Sequence, residues 1–269
     1  MNAAKKGGGD SRQKSDNFCG IDQLPLPSCA IIITHYNLAS YLKDALISVI
    51  NQTYQNWQCL VVDDASDDEQ YELAQNIVDE LSHPKVRLIR TQKNLGQTLA
   101  GFEGMQHTES QFVSFLDPDD RLLPEFLEEM IMMHLNPVIV APYVCSNQFL
   151  KEENKGIIAS LARSPYLIKR SGKGVEAIWK SPSSGHQLYF IEPSNPCWNR
   201  TANSSMLYRR SALEYCIPKK PLSMKNNADA LMSWGCHFMG GTLFYDKPLV
   251  IRQITGANEF ISQELISSL

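Results

Sequence analysis

The sequence has no apolar run long enough to cross a bilayer. Its longest, residues 138–145, is broken by Pro142 and falls far short of the ~20 residues a spanning helix needs. Residues 1–27 (MNAAKKGGGDSRQKSDNFCGIDQLPLP) hold three consecutive glycines and polar side chains, with no apolar core of the kind a secretory signal requires. They read as a mobile tail, and the expected location is cytoplasmic. Cysteine is sparse: the seven residues 19, 29, 59, 145, 197, 216 and 236 contain no C-x-x-C pair. That excludes a disulfide framework or a zinc knuckle as the basis of the fold and points to a reducing compartment. There is no G-x-G-x-x-G after the first apolar run, no G-x-x-x-x-G-K-[ST] and no G-x-S-x-G. These absences argue against a dinucleotide oxidoreductase, a P-loop enzyme and an α/β-hydrolase. The six histidines (35, 83, 107, 134, 186, 237) show no H-x-x-x-H or H-E-x-x-H spacing, against a zinc protease. Net charge is only −4, too mild a total to signal a nucleic-acid binder.

What is present is the composition of a globular chain: 269 residues, 43% hydrophobic and 20% charged. Such a length buries on the order of three quarters of its unfolded surface and needs no disulfide or structural metal. The small net charge conceals an asymmetry. Residues 151–225 carry 13 Lys/Arg against 5 Asp/Glu, a net of +8, which leaves −12 for the remainder. Either the two parts meet different partners, a cation on the acidic side and an anionic group or membrane on the basic side, or they are two solvated faces of one domain.

From residue 29 the pattern alternates. Cys29-Ala-Ile-Ile-Ile-Thr34 is a short β-branched run suited to a buried parallel strand. Tyr41, Leu42, Ala45, Leu46, Val49 and Ile50 recur at helical spacing over 40–51. Strands are expected at 58–62, 86–90, 111–116 and 138–145. Helices are expected around 73–81, over 96–107, and over 124–134 with Pro124 in the first turn. Beyond residue 150 the pattern weakens into Gly, Ser, Pro and Lys clusters, read as long loops with small elements, before a strand at 243–251. Residues 204–213 and 228–238 are each compatible with a short buried strand or a helix. Alternating strands and helices imply a mostly parallel sheet covered on both faces, with ligands bound at the carboxyl ends of the strands.

Three polar clusters follow strands in that scheme: Thr34-His35-Tyr36-Asn37, Asp63-Asp64-Ala65-Ser66 and Asp117-Pro118-Asp119-Asp120. Three carboxylates within four residues repel one another unless a cation or hydrogen-bond donors offset the charge. Hard oxygen ligands suit Mg²⁺ or Mn²⁺, commonly bound together with a substrate diphosphate. A solvated turn with an aspartate capping the next helix is the alternative for this segment. Asp63-Asp64 is suited to accept hydrogen bonds from a nucleobase or ribose, or to cap the helix that follows.

Taken together these segments resemble the family 2 glycosyltransferases of the GT-A fold. The matching text is IIITHYNLASYLKDALISVINQTYQNWQCLVVDDAS, NLGQTLAGFEG and FVSFLDPDDRLLPEFLEEM, over about residues 28–135, with a looser similarity through NSSMLYRRSAL and KPLVIR. The resemblance implies an α/β, GT-A (Rossmann-like) domain over 28–269. It has a mostly parallel sheet with helices on both faces, a nucleotide-sugar half at 28–135 and an acceptor half at 136–269. It implies transfer of a sugar, with inversion, from a nucleoside diphosphate donor (UDP foremost) to a glycan or lipid-linked acceptor hydroxyl. Thr34, Tyr36, Asn37, Asp64, Asn94, Gly96, Asp117, Asp119 and Arg252 would bind the nucleotide sugar, and Asp119 and Asp120 would hold Mn²⁺ or Mg²⁺. No nucleic-acid partner is implied.

Three positions depart from the family pattern. The acidic pair before the acceptor-half helix reads Asn226-Asn227-Ala228-Asp229; Asp229 is the only carboxylate between Glu214 and Asp246 and is the expected catalytic base, although one register places Asn227 there. Y-R-x-H reads Ile251-Arg252-Gln253-Ile254, and a frequent asparagine is Phe102. These departures keep a second class open, a catalytically silent relative that binds a sugar nucleotide or glycan as a sensor or scaffold. A nucleotidyltransferase is disfavoured, because the Gly-rich basic loop for a nucleoside triphosphate is missing. Trp198 and Tyr208 are candidates to stack on a sugar or to pack inside. The basic stretch, with Arg209, Arg210, Lys219 and Lys220, would meet a lipid-linked diphosphate or the anionic inner face of a membrane.

Overall fold

The computed structural model describes residues 25–136, 139–152, 156–160, 176–195, 201–218 and 228–254, with backbone alone at 158–160 and 228–230. Residues 1–24 of the expected tail, Trp198, Lys219, Lys220, Asn226 and Asn227 lie outside these. Strands β1 (Cys29–His35), β2 (Trp57–Asp63), β3 (Val86–Arg90) and β4 (Phe112–Leu116) alternate with helices α1 (Ala39–Ile50), α2 (Asp68–Leu81) and α3 (Gln97–Gln106). All of these strand pairings are parallel, β2 with β3 and β1 with both β2 and β4. After the two-residue β5 (Arg121–Leu122) and α4 (Phe126–His134) come β6 (Tyr143–Glu152), β7 (Gly156–Ser160), β8 (Ala177–Lys180) and β9 (Gln187–Ile191). The 3₁₀ turn Asn203–Ser205 leads into β10 (Met206–Arg209), α5 (Arg210–Cys216), α6 (Ala228–Gly240) and β11 (Thr242–Ile254).

One sheet runs through both halves in the order β3-β2-β1-β4-β10-β6-β11-β9-β8. β10 is antiparallel to β4 and to β6, and β6 is parallel to β11, so β4, β6 and β11 all point the same way. Alternation along β1 sends Ile31 and Ile33 into the core beneath α1, α2 and α4, and Ala30 and Ile32 into the core beneath α3, α5 and α6. Both faces are therefore covered, which is why β1 reads as an unbroken apolar run. α1 presents Ala39, Leu42, Ala45, Leu46 and Val49 to the sheet. α2 buries only Ala74 and Ile77, and Leu73 stays 37% exposed. α3 lies unusually close to the sheet: a Cβ on Gly104 would stand 2.7 Å from Ile32 Cγ2 and 2.8 Å from Val62 Cγ2.

Several boundaries differ from the sequence expectation, among them the start of α2 at Asp68 and the end of β11 at Ile254. The strand expected at 138–145 begins at Tyr143 and runs on to Glu152. Pro142 has no N–H for a ladder, and its carbonyl accepts the Arg209 amide instead. The continuation through Ser146, Asn147 and Gln148 is polar yet buried, because β6 lies between β10 and β11, a neighbourhood that hydropathy along the chain does not register. α4 begins at Phe126, two residues after Pro124, whose carbonyl takes the Thr53 amide. No described helix is long and apolar enough to cross a membrane.

Candidate functional site

The chain order places β2 and β3 to one side of β1 and β4 to the other, so the connections leaving β1 and β4 diverge and open a crevice at their carboxyl ends. The three polar clusters all stand at this edge. On β1, Thr34 is half-buried and Tyr36 is 49% exposed, a large aromatic left facing outward. Asn37 adopts φ 55°, a left-handed conformation that asparagine tolerates. Its side chain is used locally: Nδ2 donates to Asp67 Oδ2 at 3.1 Å, and Oδ1 accepts the Asp67 amide at 2.9 Å. Its own amide donates to Ser66 Oγ at 2.9 Å. Asn37 thus ties the loop after β1 to the loop after β2.

Asp63 ends β2 and Asp64 follows it, and the two carboxylates serve different partners. Asp63 is fully buried, pairs with Arg90 Nε at 3.1 Å, accepts the Ser66 amide at 3.3 Å and lies 3.4 Å from His35 Nε2. Burial holds His35 below its usual range, with the carboxylates of Asp63 and Asp64 pulling the other way. Ala65 at φ 57° makes the sharp exit that turns Asp64 toward the next connection. Asp64 Oδ1 accepts the Leu95 amide at 2.8 Å and the Thr91 hydroxyl at 3.1 Å, and Oδ2 accepts the Gly96 amide at 2.8 Å. One carboxylate therefore shapes the loop 91–96, including half-buried Asn94 and Gly96, whose φ of 81° suits glycine.

The third cluster forms a turn closed by the Asp120 amide donating to the Asp117 carbonyl at 3.1 Å. β5 follows at once and pairs with the far end of β11, which brings Arg252 and Gln253 alongside. The Gln253 amide donates to Asp120 Oδ1 at 3.1 Å, and the Ser204 hydroxyl donates to Asp120 Oδ2 at 2.6 Å. Ser204 Oγ also accepts the Asp117 amide at 3.1 Å, so one buried hydroxyl joins both ends of the turn. Asp120 is 1% exposed, and its carboxyl is pushed well above the usual range by burial, then by the charges of Asp117 and Asp119. The Ser204 hydrogen bond and the Arg252 charge oppose that rise. Asp117 is half-buried and accepts Gln97 Nε2 at 2.7 Å. Asp119 and Arg252 are partly exposed at the same edge.

The sequence-read residues Thr34, Tyr36, Asn37, Asp64, Asn94, Gly96, Asp117, Asp119, Asp120 and Arg252 thus share one edge of the sheet, with different tasks. Asp120, read from the sequence as a metal ligand, directs both oxygens to Ser204 and Gln253. Asp229 is the second residue of α6, and its side chain is not among those described. Gln97, Ser204 and Gln253 were not singled out from the sequence. Each stands inside or beside a segment carrying the family resemblance, but nothing in one-dimensional spacing says that they meet Asp117 and Asp120. Among the described residues no group of three or more His, Cys, Asp or Glu is placed to hold a metal ion by itself.

Three residues of the basic stretch lie away from the acidic clusters. Arg209 and Arg210 stand at the opposite edge of the sheet, beside a cleft of about 450 Å³ lined in part by Phe112 and Leu135. Arg209 donates to the carbonyls of Ala141 and His134, and Arg210 to those of Ser110, Met105 and Thr108. These guanidinium groups satisfy backbone carbonyls rather than reaching toward the three acidic clusters. Tyr208 is fully buried with its ring 5.2 Å from that of Tyr143, so it packs the core and does not face a sugar.

A family model described as Glycosyl transferase family 2 matches residues 30–188. An uncharacterized glycosyltransferase of Nostoc is 26% identical over 235 residues, 87% of this chain and 66% of that protein. The Escherichia coli UDP-Glc:alpha-D-GlcNAc-diphosphoundecaprenol beta-1,3-glucosyltransferase WfgD is 31% identical over 107 residues, 39% of this chain and 40% of that protein. Among solved structures, Staphylococcus aureus TarS 1–349 in complex with UDP superposes with a TM-score of 0.59 at 16% identity, covering 84% of this chain and 60% of TarS 1–349. The mannosyltransferase PcManGT of Pyrobaculum calidifontis, in complex with GDP-Man and Mn²⁺, superposes with a TM-score of 0.59 at 15% identity, covering 87% of this chain and 58% of PcManGT. The chain spans 40% to 66% of the length of these proteins.

Proposed function

From the membership of this chain in glycosyl transferase family 2 and its GT-A fold, we propose that it transfers a sugar from a nucleoside diphosphate sugar to an acceptor hydroxyl with inversion at the anomeric carbon. The observation that carries this reading is the gathering of Asp64, Asp117, Asp119 and Asp120 at the crevice between β1 and β4. UDP is the proposed nucleotide, in keeping with the donor in WfgD's name, and GDP and dTDP are the competitors to test. Tyr36 would stack on the base, Thr34 and Asp117 would meet base and ribose, and Arg252 would meet the diphosphate. Asp64 acts by holding the loop 91–96 as the wall of that pocket.

A divalent cation fits this donor set. Burial lifts the Asp120 carboxyl, and the charges of Asp117 and Asp119 lift it further against the Ser204 hydrogen bond and the Arg252 charge, so the turn gathers three acidic side chains in one place. Mg²⁺ and Mn²⁺ sites of this kind use one or two protein carboxylates and complete their shell with substrate phosphates. Asp119 would supply the protein ligand, and Asp120, fixed by Ser204 and Gln253, would set the turn and its charge. When bound, the ion stabilises negative charge on the departing diphosphate. On the acceptor side a carboxylate must take the hydroxyl proton as the oxygen attacks, and Asp229, in the first turn of α6, is the proposed base. The acceptor is proposed to be a glycan or a lipid-linked diphosphate, the latter in keeping with the diphosphoundecaprenol in WfgD's name, and the process to be cell-surface polysaccharide synthesis at the anionic inner face of a membrane.

Thermal melting with UDP, GDP, dTDP and CMP, each with and without Mn²⁺, tests the donor site. A ligand at 100 times its Kd adds about 2.7 kcal/mol, a readily visible shift. Stabilisation by one diphosphate that requires the metal and disappears in Asp119→Ala is expected. Metal-dependent release of nucleoside diphosphate from the matching sugar nucleotide, lost in Asp229→Asn, is the corresponding catalytic result. Binding without any release of nucleoside diphosphate, with or without acceptor lipid, would refute transfer in favour of a silent relative. Absence of enrichment on anionic over neutral liposomes would remove the membrane element.

A further inference from the structure

Cys216 closes α5 and Cys236 lies in the middle of α6, with their Sγ atoms 3.9 Å apart. Gly235 makes the approach possible: a Cβ there would stand 2.6 Å from Cys216 Sγ. Cys236 is fully buried, whereas Cys216 is half-buried, so an oxidant in solution reaches one thiol of the pair before the other. The remaining described cysteines are unlike this pair. Cys29, Cys59 and Cys145 are buried in the sheet, and burial pushes their thiols up, to about 12 for Cys29 and Cys145. The hydrogen bond between the two sulfurs instead draws the Cys216 thiol below its ordinary range, against the smaller effect of burial. The same contact raises Cys236.

We propose that Cys216 and Cys236 form a reversible thiol–disulfide couple that covalently locks α5 to α6. The oxidant is a small-molecule disulfide such as oxidised glutathione. The Cys216 thiolate attacks one of its sulfurs, forming a mixed disulfide and expelling one thiolate, which takes up a proton. Cys236, giving up its proton, then attacks Cys216 Sγ and expels the second small thiol. Two protein thiols become one disulfide, the oxidant's disulfide becomes two thiols, and two electrons pass from protein to oxidant. In a reducing compartment the couple rests as the dithiol and closes under oxidant load. The bond closes a loop over residues 217–235, and Asp229 stands two turns before Cys236 on the same helix. Fixing α6 against α5 therefore acts on the part of the chain that carries the proposed base. This effect on turnover rests on the transfer reading; the thiol chemistry does not.

The test uses the full chain incubated with excess oxidised glutathione, then alkylated, digested and mapped. A linked Cys216–Cys236 peptide is expected, with Tm raised by roughly 5–10 °C for a loop of this size and reversed by dithiothreitol. Cys236→Ser should stop at a glutathione adduct on Cys216 without the rise in Tm, and Cys216→Ser should leave Cys236 unmodified. If the serine variants do not fold, the wild-type map decides alone. Both thiols remaining alkylatable after the oxidant, or a linked form that melts no higher than the dithiol, overturns the couple. With donor and acceptor, the linked form should turn over several-fold more slowly at unchanged UDP affinity, and equal turnover overturns the functional consequence. A protein that transfers nothing in either state refutes the transfer reading, while the linked peptide and its melting shift still support the couple.

Discussion

Removing the hydroxyl of Ser204 should damage the acidic turn at both of its ends. Ser204 Oγ donates to Asp120 Oδ2 at 2.6 Å and accepts the Asp117 amide at 3.1 Å, and the residue is fully buried. Ser204→Ala thus deletes one hydrogen bond to a carboxylate, worth about 1.5–3 kcal/mol, and leaves a backbone N–H without its partner, about 1–3 kcal/mol more. A water admitted to the space returns part of this, so about 2–4 kcal/mol is expected in total. For a chain of this size that is a fall in Tm of roughly 5–12 °C. The Ser204 hydrogen bond is also one of the two influences that restrain the rise of the Asp120 carboxyl. Without it Asp120 holds its proton to higher pH, and the turn loses negative charge where a cation is proposed to bind. Metal-dependent UDP binding should therefore weaken roughly 10- to 100-fold at pH 7, a factor that corresponds to about 1.4–2.8 kcal/mol. The direction of the shift sets the sign, with a larger deficit at lower pH. Calorimetric titration of UDP with Mn²⁺ between pH 6 and 9, beside thermal melting, reads both effects. A variant that melts within a degree of wild type and binds UDP equally across that range would refute the bridging role.

Other substitutions separate scaffold from ligand contacts. Asp64→Asn replaces an oxygen that accepts a backbone N–H with an amide donor, whichever way it flips, so it should cost about 2–4 kcal/mol and weaken nucleotide binding together. Asp119→Asn, at a partly exposed position, should leave Tm unchanged and abolish only metal-dependent binding; paired melting and titration of the two variants distinguish them. Gly104→Ala drives a methyl into Ile32 and Val62 and should destabilise by about 1–3 kcal/mol despite the better helix propensity of alanine, measurable by urea denaturation. His134 is buried with its Nε2 on the Leu207 carbonyl, and burial lowers its pKa to about 3. Its folded pKa lies below the unfolded value near 6.5, so its contribution is complete above pH 6.5 and is lost as the pH falls toward 3. The loss is about 2–3 kcal/mol at pH 4.5. His134→Gln should be less stable at pH 7 yet show a shallower acid loss between pH 6.5 and 4.5; an unchanged slope in urea titrations would refute the assignment.

Much of the architecture was legible along the chain. β3 lies where it was expected, and β1, β2, β4, α1 and α3 agree within one or two residues at each end, because strands buried on both faces and helices with one apolar stripe leave direct periodicities in sequence. The acidic clusters were legible as well, since strand–loop–helix order alone puts them at one edge of the sheet. Less could be read after residue 142. There β6 threads between β10 and β11, and its burial of Ser146, Asn147 and Gln148 is imposed by neighbours distant in sequence. The same holds for Arg209 and Arg210, whose charge suggested an anionic partner until the fold set them against backbone carbonyls.

Within the site the division is sharper. The sequence by itself determined which residue types assemble: a run of aspartates after one strand, a pair after another, and an aromatic and a threonine after a third. It could not say which carboxylate faces outward. Only the tertiary structure turned Asp120 inward onto Ser204 and Gln253, set Asp117 against Gln97, and made Asp64 the anchor of loop 91–96. The reason is physical: the cost of a buried carboxylate depends on donors brought to it by chain crossovers of tens of residues, and no local pattern records where those donors will be.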